Sequence, residues 1–322
     1  MNILITGAHG FVGYHVTKLL KERLFDHKIF TPKRSELDLR IYHEIIQYLS
    51  KHEITHIVHL AARVGGIGAN KRFPADFFFD NSYFALNLLH AIINLKFIEQ
   101  FINIGTICQY PKFAPIPLKE NDLWNGYPEE TNAPYGIAKR ATMEYAKSIN
   151  QQYGINVVNL MPVNMMGEKD KFDPIYSHVV PAIILKIDKA VKDKSNEVHL
   201  WGTGKATREF LYAGDFAEAI LMSLHYYGDP DPINIGTGKD ICIKDLSNMI
   251  KNIMCFKGDL IFTGQISDGQ PFRKLDINRA KEKLGFEAKT SLEKMLDKTI
   301  NYYYDLKSKN PKLIDEYMTM IY

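Results

Sequence analysis

The segment Ile3-Leu4-Ile5-Thr6-Gly7-Ala8-His9-Gly10-Phe11-Val12-Gly13 constrains the fold more than any other stretch of this chain. A short apolar run leads straight into three glycines spaced G-x-x-G-x-x-G, and a helical apolar pattern (Val12, Val16, Leu19, Leu20) follows. Glycines at such a turn let the backbone approach a pyrophosphate, and the helix N-terminus behind them offers free amides and a favourable dipole. A glycine triplet alone reads equally well as a structural turn. Placed between a first strand and a first helix, it points to a dinucleotide site. Gly7, Gly10, Phe11, Val12 and Gly13 are therefore the first expected cofactor contacts.

The same alternation continues downstream. Apolar runs at 28–30, 56–60, 101–104 and 156–160 read as strands, and the patterns at 41–51, 75–95 and 134–152 read as helices. Continuous apolar strands separated by helices imply an α/β fold with a doubly wound parallel (Rossmann) sheet covered on both faces. Beyond Pro162 the regularity falls. Short strands are expected near 198–201, 209–212, 233–235 and 259–262, with helices near 179–191, 214–226, 243–254 and 290–307. This predicts a cofactor-binding domain over 1–165 and a smaller α/β substrate lobe over 166–322, with residues 232–238 as a candidate return to the main sheet. The proline-rich stretch 108–133 is long for a loop inside a compact domain, which marks it as functional.

Composition excludes several classes. Forty basic and 37 acidic residues leave a net charge of +3, and the basic residues are scattered, so no nucleic-acid partner is expected. No apolar run reaches the roughly 18 residues of a membrane span, and the N-terminus lacks the pattern of a signal peptide. Cys108, Cys242 and Cys255 are too few and too widely spaced for a disulfide framework or a metal site, which implies no metal and a reducing, cytoplasmic setting.

Two further features specify chemistry. NAD sites usually carry an acidic residue after the second strand, on the ribose 2′-hydroxyl. Here that strand ends in Thr31-Pro32-Lys33-Arg34, and two cations favour a 2′-phosphate, hence NADP(H). Lys33 and Arg34 read alternatively as solvated surface charge. Tyr135 and Lys139 stand four residues apart on a predicted helix, which brings both side chains to one face. An ammonium beside a phenol is expected to lower its pKa and to make the tyrosine a working acid–base group.

With the glycine turn and the Y-x-x-x-K pair in this order, the chain resembles the extended short-chain dehydrogenase/reductase family over nearly its whole length. The resemblance implies a Thr106–Tyr135–Lys139 triad, with Lys139 also holding the nicotinamide ribose, Asn81 beside the cofactor site and Asp38-Leu39 near the adenine. Longer segments are similar to the GDP-L-fucose synthase branch. They are Ala61-Ala62-Arg63-Val64-Gly65-Gly66-Ile67-Gly68-Ala69-Asn70, Cys108-Gln109-Tyr110-Pro111, Ser177-His178-Val179-Val180-Pro181-Ala182, and Trp201-Gly202-Thr203-Gly204 followed by Arg208-Glu209-Phe210-Leu211. That branch implies further cofactor contacts at Ala61, Ala62, Pro162, Asn164 and His178, proton transfer by Cys108 and His178, and substrate contacts at Lys186, Trp201, Arg208 and Arg273. Taken singly, Cys108 and Trp201 would read as packing and His178 as structural.

The activity implied is NADPH-dependent C4 reduction of a GDP-linked 4-keto-6-deoxy sugar, with epimerisation at C3 and C5 before it. Two departures keep the sugar open. Pro162-Val163-Asn164-Met165-Met166-Gly167-Glu168 lacks the family's usual tyrosine and second proline, and Asp268-Gly269-Gln270-Pro271-Phe272-Arg273-Lys274 carries its basic pair one place late. C4 reduction alone, on a GDP-4-keto-heptose of bacterial surface polysaccharide synthesis, is the alternative. An NAD-dependent UDP-sugar 4-epimerase or dehydratase and a non-enzymatic nucleotide sensor are weaker competitors. Relatives of this kind pair as homodimers through helices near 80–95 and 135–152, where Phe84, Leu88, Ile92, Met143 and Ile149 suit either a partner or an internal core.

Overall fold

A computed structural model describes residues 1–173, 176–264, 270–312 and 314. The first strand, β1 (Asn2–Thr6), is followed by helix α1 (Phe11–Arg23), then β2 (Lys28–Phe30), α2 (Tyr42–Lys51) and β3 (His56–His59). The short α3 (Ile67–Arg72) and the long α4 (Pro74–Ile92) lead to β4 (Gln100–Ile104), and α5 (Ala133–Tyr153) leads to β5 (Asn156–Pro162). With β9 (Ile233–Ile235) these strands form a parallel sheet in the order β2-β1-β3-β4-β5-β9. The central strands β3, β4 and β5 are buried along their length, including polar positions such as His59, Asn103 and Asn159 that interrupt their apolar runs. The chain leaves β1 toward β2 on one side and returns to β3 on the other. The crevice at the carboxyl end of β1 is therefore the topological switch point, where ligands of such sheets bind.

Apolar stripes cover both faces. Val16 and Leu20 of α1 share one core with Phe216 and Ile220 of α7 (Ala213–Ser223). Ile45 and Leu49 of α2, Leu88 and Leu89 of α4, and Ala146 and Ile149 of α5 fill the other. Leu88, Ile92, Met143 and Ile149 are at most 1% exposed within the chain's own cores, so the choice left open for them resolves to internal packing.

The second half builds a smaller layer. β6 (Asn164–Met166), β8 (Thr207–Tyr212) and β10 (Asp240–Cys242) form one sheet, and β7 (Glu197–Leu200) pairs in parallel with β11 (Asp259–Phe262). A third core joins α6 (Val179–Lys192), α8 (Ile243–Ile253) and α10 (Leu292–Lys309), while Ala280 of α9 (Asn278–Leu284) packs into the first core. Glu209 on β8 is buried and accepts backbone N–H bonds from Leu275 at 2.7 Å and Gly238 at 2.7 Å, so one carboxylate ties two segments to the strand. The stretch 108–133 is fastened rather than loose: Asn234 donates to Leu118 O at 3.0 Å and accepts from the Tyr110 hydroxyl at 2.8 Å. The sequence reading passed over α3, β6, β10 and α9. Each is short, and α3 begins in a glycine-rich run that no helical periodicity would flag.

Candidate active site

One cavity of about 1020 Å³ runs from the glycine turn at the switch point to the second lobe. At its cofactor end the glycines are demanded by close packing. Gly7 has φ +70°, and a Cβ there would lie 2.7 Å from Ala61 N; a Cβ on Gly13 would lie 2.1 Å from Gly7 O. Any larger residue would lift α1 off the turn. Gly10 caps α1, whose first turn carries no acidic side chain, so its amides and dipole face the cavity unopposed. That cradle fits a pyrophosphate.

Lys33, Arg34, Asp38 and Leu39 line the same end. Asp38 is held down to about 2, foremost by its hydrogen bonds from the Arg40 side chain, and Arg34 lies 3.5 Å away. Its charge is thereby compensated, leaving Lys33 beside Arg34 in the wall. Ala61, Ala62, Pro162 and Asn164 also form wall, the last donating to Glu209 O at 3.0 Å. Asn81 departs from expectation. Only 1% exposed, it exchanges hydrogen bonds with the Arg63 backbone, 3.0 Å each way, and stands behind the wall it braces.

Thr106, Cys108, Tyr135, Lys139 and His178 all line this cavity. Thr106 caps a single 3-10 turn over Ile107–Gln109, accepting from Cys108 N at 3.2 Å, so the end of β4 sets both residues. Tyr135 enters near the start of α5 and is 8% exposed. Lys139, one turn on, donates to Ile104 O at 2.9 Å and is brought down to about 8 by burial. The expectation that lysine lowers the tyrosine pKa is corrected here. Burial pushes the Tyr135 phenol well above its ordinary range, the neighbouring Cys108 adds to this, and only the Thr106 hydroxyl opposes it. The lysine is tied to a carbonyl and desolvation wins, so this tyrosine keeps its proton. His178 caps α6; protein walls enclose it although its surface opens into the cavity, and that desolvation lowers its pKa.

The far end is cationic. Lys186 donates to His199 O at 2.8 Å, sits 4.9 Å over the Trp201 ring and is brought down to about 8 by burial. Arg208 donates to Thr207 O and Gln270 O, both at 2.7 Å. Arg273 reaches back to the middle of the cavity, with Nη1 3.6 Å from Cys108 Sγ. Asp268 and Gly269 of the segment read from sequence lie outside the described residues. The remaining carboxyl of the wall, Asp170, is pushed up to about 7 by burial. A cavity with basic ends and little compensating acid suits a ligand with several phosphates.

Some shaping residues escaped sequence reasoning. A Cβ on Gly136 would lie 2.3 Å from Cys108 O, so this glycine lets α5 press Tyr135 against the cysteine turn. Gly66 N donates to Tyr176 O at 2.9 Å, and a Cβ there would lie 2.5 Å from Ser177 O, which docks the glycine-rich segment onto the approach to His178. Both glycines stood in motifs already singled out; their reason is tertiary. Among the described residues no group of three or more His, Cys, Asp or Glu side chains is arranged to hold a metal ion.

Comparison with known proteins agrees with this geometry. Residues 3–236 match the NAD dependent epimerase/dehydratase family. The chain is 36% identical over 297 residues to a GDP-L-fucose synthase of Sinorhizobium fredii, covering 92% of this chain and 93% of that one. It is 35% identical to a GDP-L-colitose synthase of Yersinia pseudotuberculosis, covering 96% and 100%. Among solved structures, a GDP-mannoheptose C4 reductase from Campylobacter jejuni with NADP bound superposes with a TM-score of 0.83 at 28% identity, covering 94% of this chain and 98% of that one. The protein belongs to the NAD dependent epimerase/dehydratase family, in its extended short-chain dehydrogenase/reductase form.

Proposed function

We propose that the protein is an NADP(H)-dependent oxidoreductase that reduces the C4 ketone of a GDP-linked 4-keto-6-deoxy sugar, in the manner of a GDP-L-fucose synthase. The observation that carries this reading is the meeting of Thr106, Tyr135, Lys139, Cys108 and His178 in one cavity that is continuous with the glycine turn. The reading takes residues 1–165 as the cofactor unit and 166–322 as the nucleotide-sugar lobe.

The Gly7–Gly13 turn and α1 would hold the dinucleotide pyrophosphate, Lys33 and Arg34 its 2′-phosphate, and Lys139 its ribose. The bound cofactor supplies a hydride to C4. Thr106 holds the ketone oxygen, and Tyr135, which its burial keeps protonated, gives the phenolic proton to that oxygen as the C–O double bond becomes an alcohol. Before reduction, the C4 ketone acidifies the protons at C3 and C5. Cys108 and His178, which both line the cavity, would divide the proton transfers, one removing such a proton and the other returning one on the opposite face. Lys186, Trp201, Arg208 and Arg273 hold the GDP-sugar.

The deciding experiment is a panel of GDP-4-keto hexoses and heptoses with NADPH, followed at 340 nm. Oxidation of NADPH with the hexose, and a lower KM for NADPH than for NADH, is expected. Failure with every sugar would sink the reading. The second reading, reduction of a 4-keto-heptose without epimerisation, draws on Met165 in the cavity wall, since methionine adapts to altered ligands. Absence of solvent deuterium at C3 and C5 of the product would select it.

The reading also includes a homodimer in the cytoplasm. The free thiols of Cys108, Cys242 and Cys255 suit a reducing compartment. The face for a partner is the exposed aromatic side of α4, where Phe79 and Tyr83 stack at 5.1 Å beside Phe78.

A further inference from the structure

Resting on the reading above, we propose that Gln270 is a positioning residue of the active site, whose one amide both tethers the Cys108 loop and aims the Arg273 guanidinium. The residue stands between Gly269 and Pro271, and the sequence reading gave it no role. The side chain is 4% exposed and makes three hydrogen bonds that leave little of its capacity unused. Its Nε2 donates to Lys112 O at 3.1 Å and to Pro111 O at 3.4 Å, immediately beyond the 3-10 turn that carries Cys108. Its Oε1 accepts from Arg273 Nε at 3.0 Å, and the same guanidinium places Nη1 on Cys108 Sγ.

A ring of contacts results. Gln270 holds the loop that presents the cysteine and the arginine that faces it, so thiol and guanidinium cannot shift independently. The ring is anchored to the second lobe, because Thr207 N donates to Pro271 O at 2.9 Å at the start of β8. A buried arginine with one fixed nitrogen is a directed cation rather than a mobile one. Reaching 3.6 Å from the sulfur, it would present the rest of its fork to a substrate oxygen beside Cys108. A shift of about 1 Å in such a group costs on the order of a hundredfold in rate.

Two variants separate the halves of the amide. Gln270→Ala loses both. With the GDP-4-keto sugar its substrate KM should rise about fivefold and its kcat fall about tenfold or more, with the KM for NADPH unchanged. Gln270→Glu keeps an acceptor for Arg273 and loses the two donations. Its substrate KM should stay within about threefold of the parent while kcat still falls about tenfold. If both variants merely melt at lower temperature and keep kcat and KM, the amide is structural and the proposal is overturned. Hydrogen–deuterium exchange reads the tether without turnover: the peptide over residues 108–114 should exchange about tenfold faster in Gln270→Ala. Unchanged protection there overturns the proposal whatever the sugar. A parent enzyme inert to every GDP-4-keto sugar, with faster exchange in the variant, would instead sink the functional reading and leave the tether standing.

Discussion

A tyrosine usually becomes an acid–base group when a neighbouring charge lowers its pKa. In this protein the phenol is buried and keeps its proton, which suits the reductive direction, where the proton must be on the tyrosine when the ketone arrives. Tyr135→Phe should therefore lower kcat by about 10²–10⁴ and leave NADPH affinity unchanged. Lys139 should set the alkaline limit of the proposed reaction. Its pKa stands at about 8 because burial disfavours the charge, so it is cationic below that pH and neutral above it. Rates limited by this group should fall as pH rises through 8, and Lys139→Arg should move the fall upward, as a pH–rate profile would reveal. Asp170 acts on stability. Its folded pKa is raised to about 7, so ionisation destabilises the fold progressively as pH rises from the unfolded carboxylate value to 7. Asp170→Asn should raise the melting temperature at pH 8, by at most about 4 kcal/mol of stability, and the gain should vanish toward pH 4.

At the scale of elements, the site is made by close approaches of backbone. α1 can lie on the glycine turn, and α5 on the Cys108 turn, only because Gly13 and Gly136 lack side chains. Gly136→Ala would force the helix away from Cys108 O, an overpacking that costs about 1–3 kcal/mol, and calorimetry with steady-state rates should show a lower melting temperature together with lower activity. The glycine turn, the first helix and the buried strands were legible because each is a local pattern with its own period. α3 and β6 were not, since their few residues are held by contacts distant in sequence. Asn81 shows the limit of placement by motif: its side chain holds the Arg63 backbone from behind the wall and does not line the cavity.

For the whole molecule, the proposed pairing requires an apolar surface that the chain's own cores leave uncovered. The buried residues of α4 and α5 are consumed in the chain's own cores, which leaves Phe78, Phe79 and Tyr83 outward. Phe79→Glu combined with Tyr83→Lys should convert a dimer to a monomer in sedimentation velocity, with the melting temperature little changed; a dimer that persists would exclude this face. The order of strand, glycine turn and helix, the two cations after β2 and the Tyr135–Lys139 spacing were determined by sequence alone, because short-range backbone geometry and helical period encode them. The direction of the Tyr135 shift, the ring through Gln270 and the meeting of Cys108 with Arg273 were decided only by the tertiary structure. Desolvation and hydrogen bonding depend on which distant segments close over a group, and no local pattern records that.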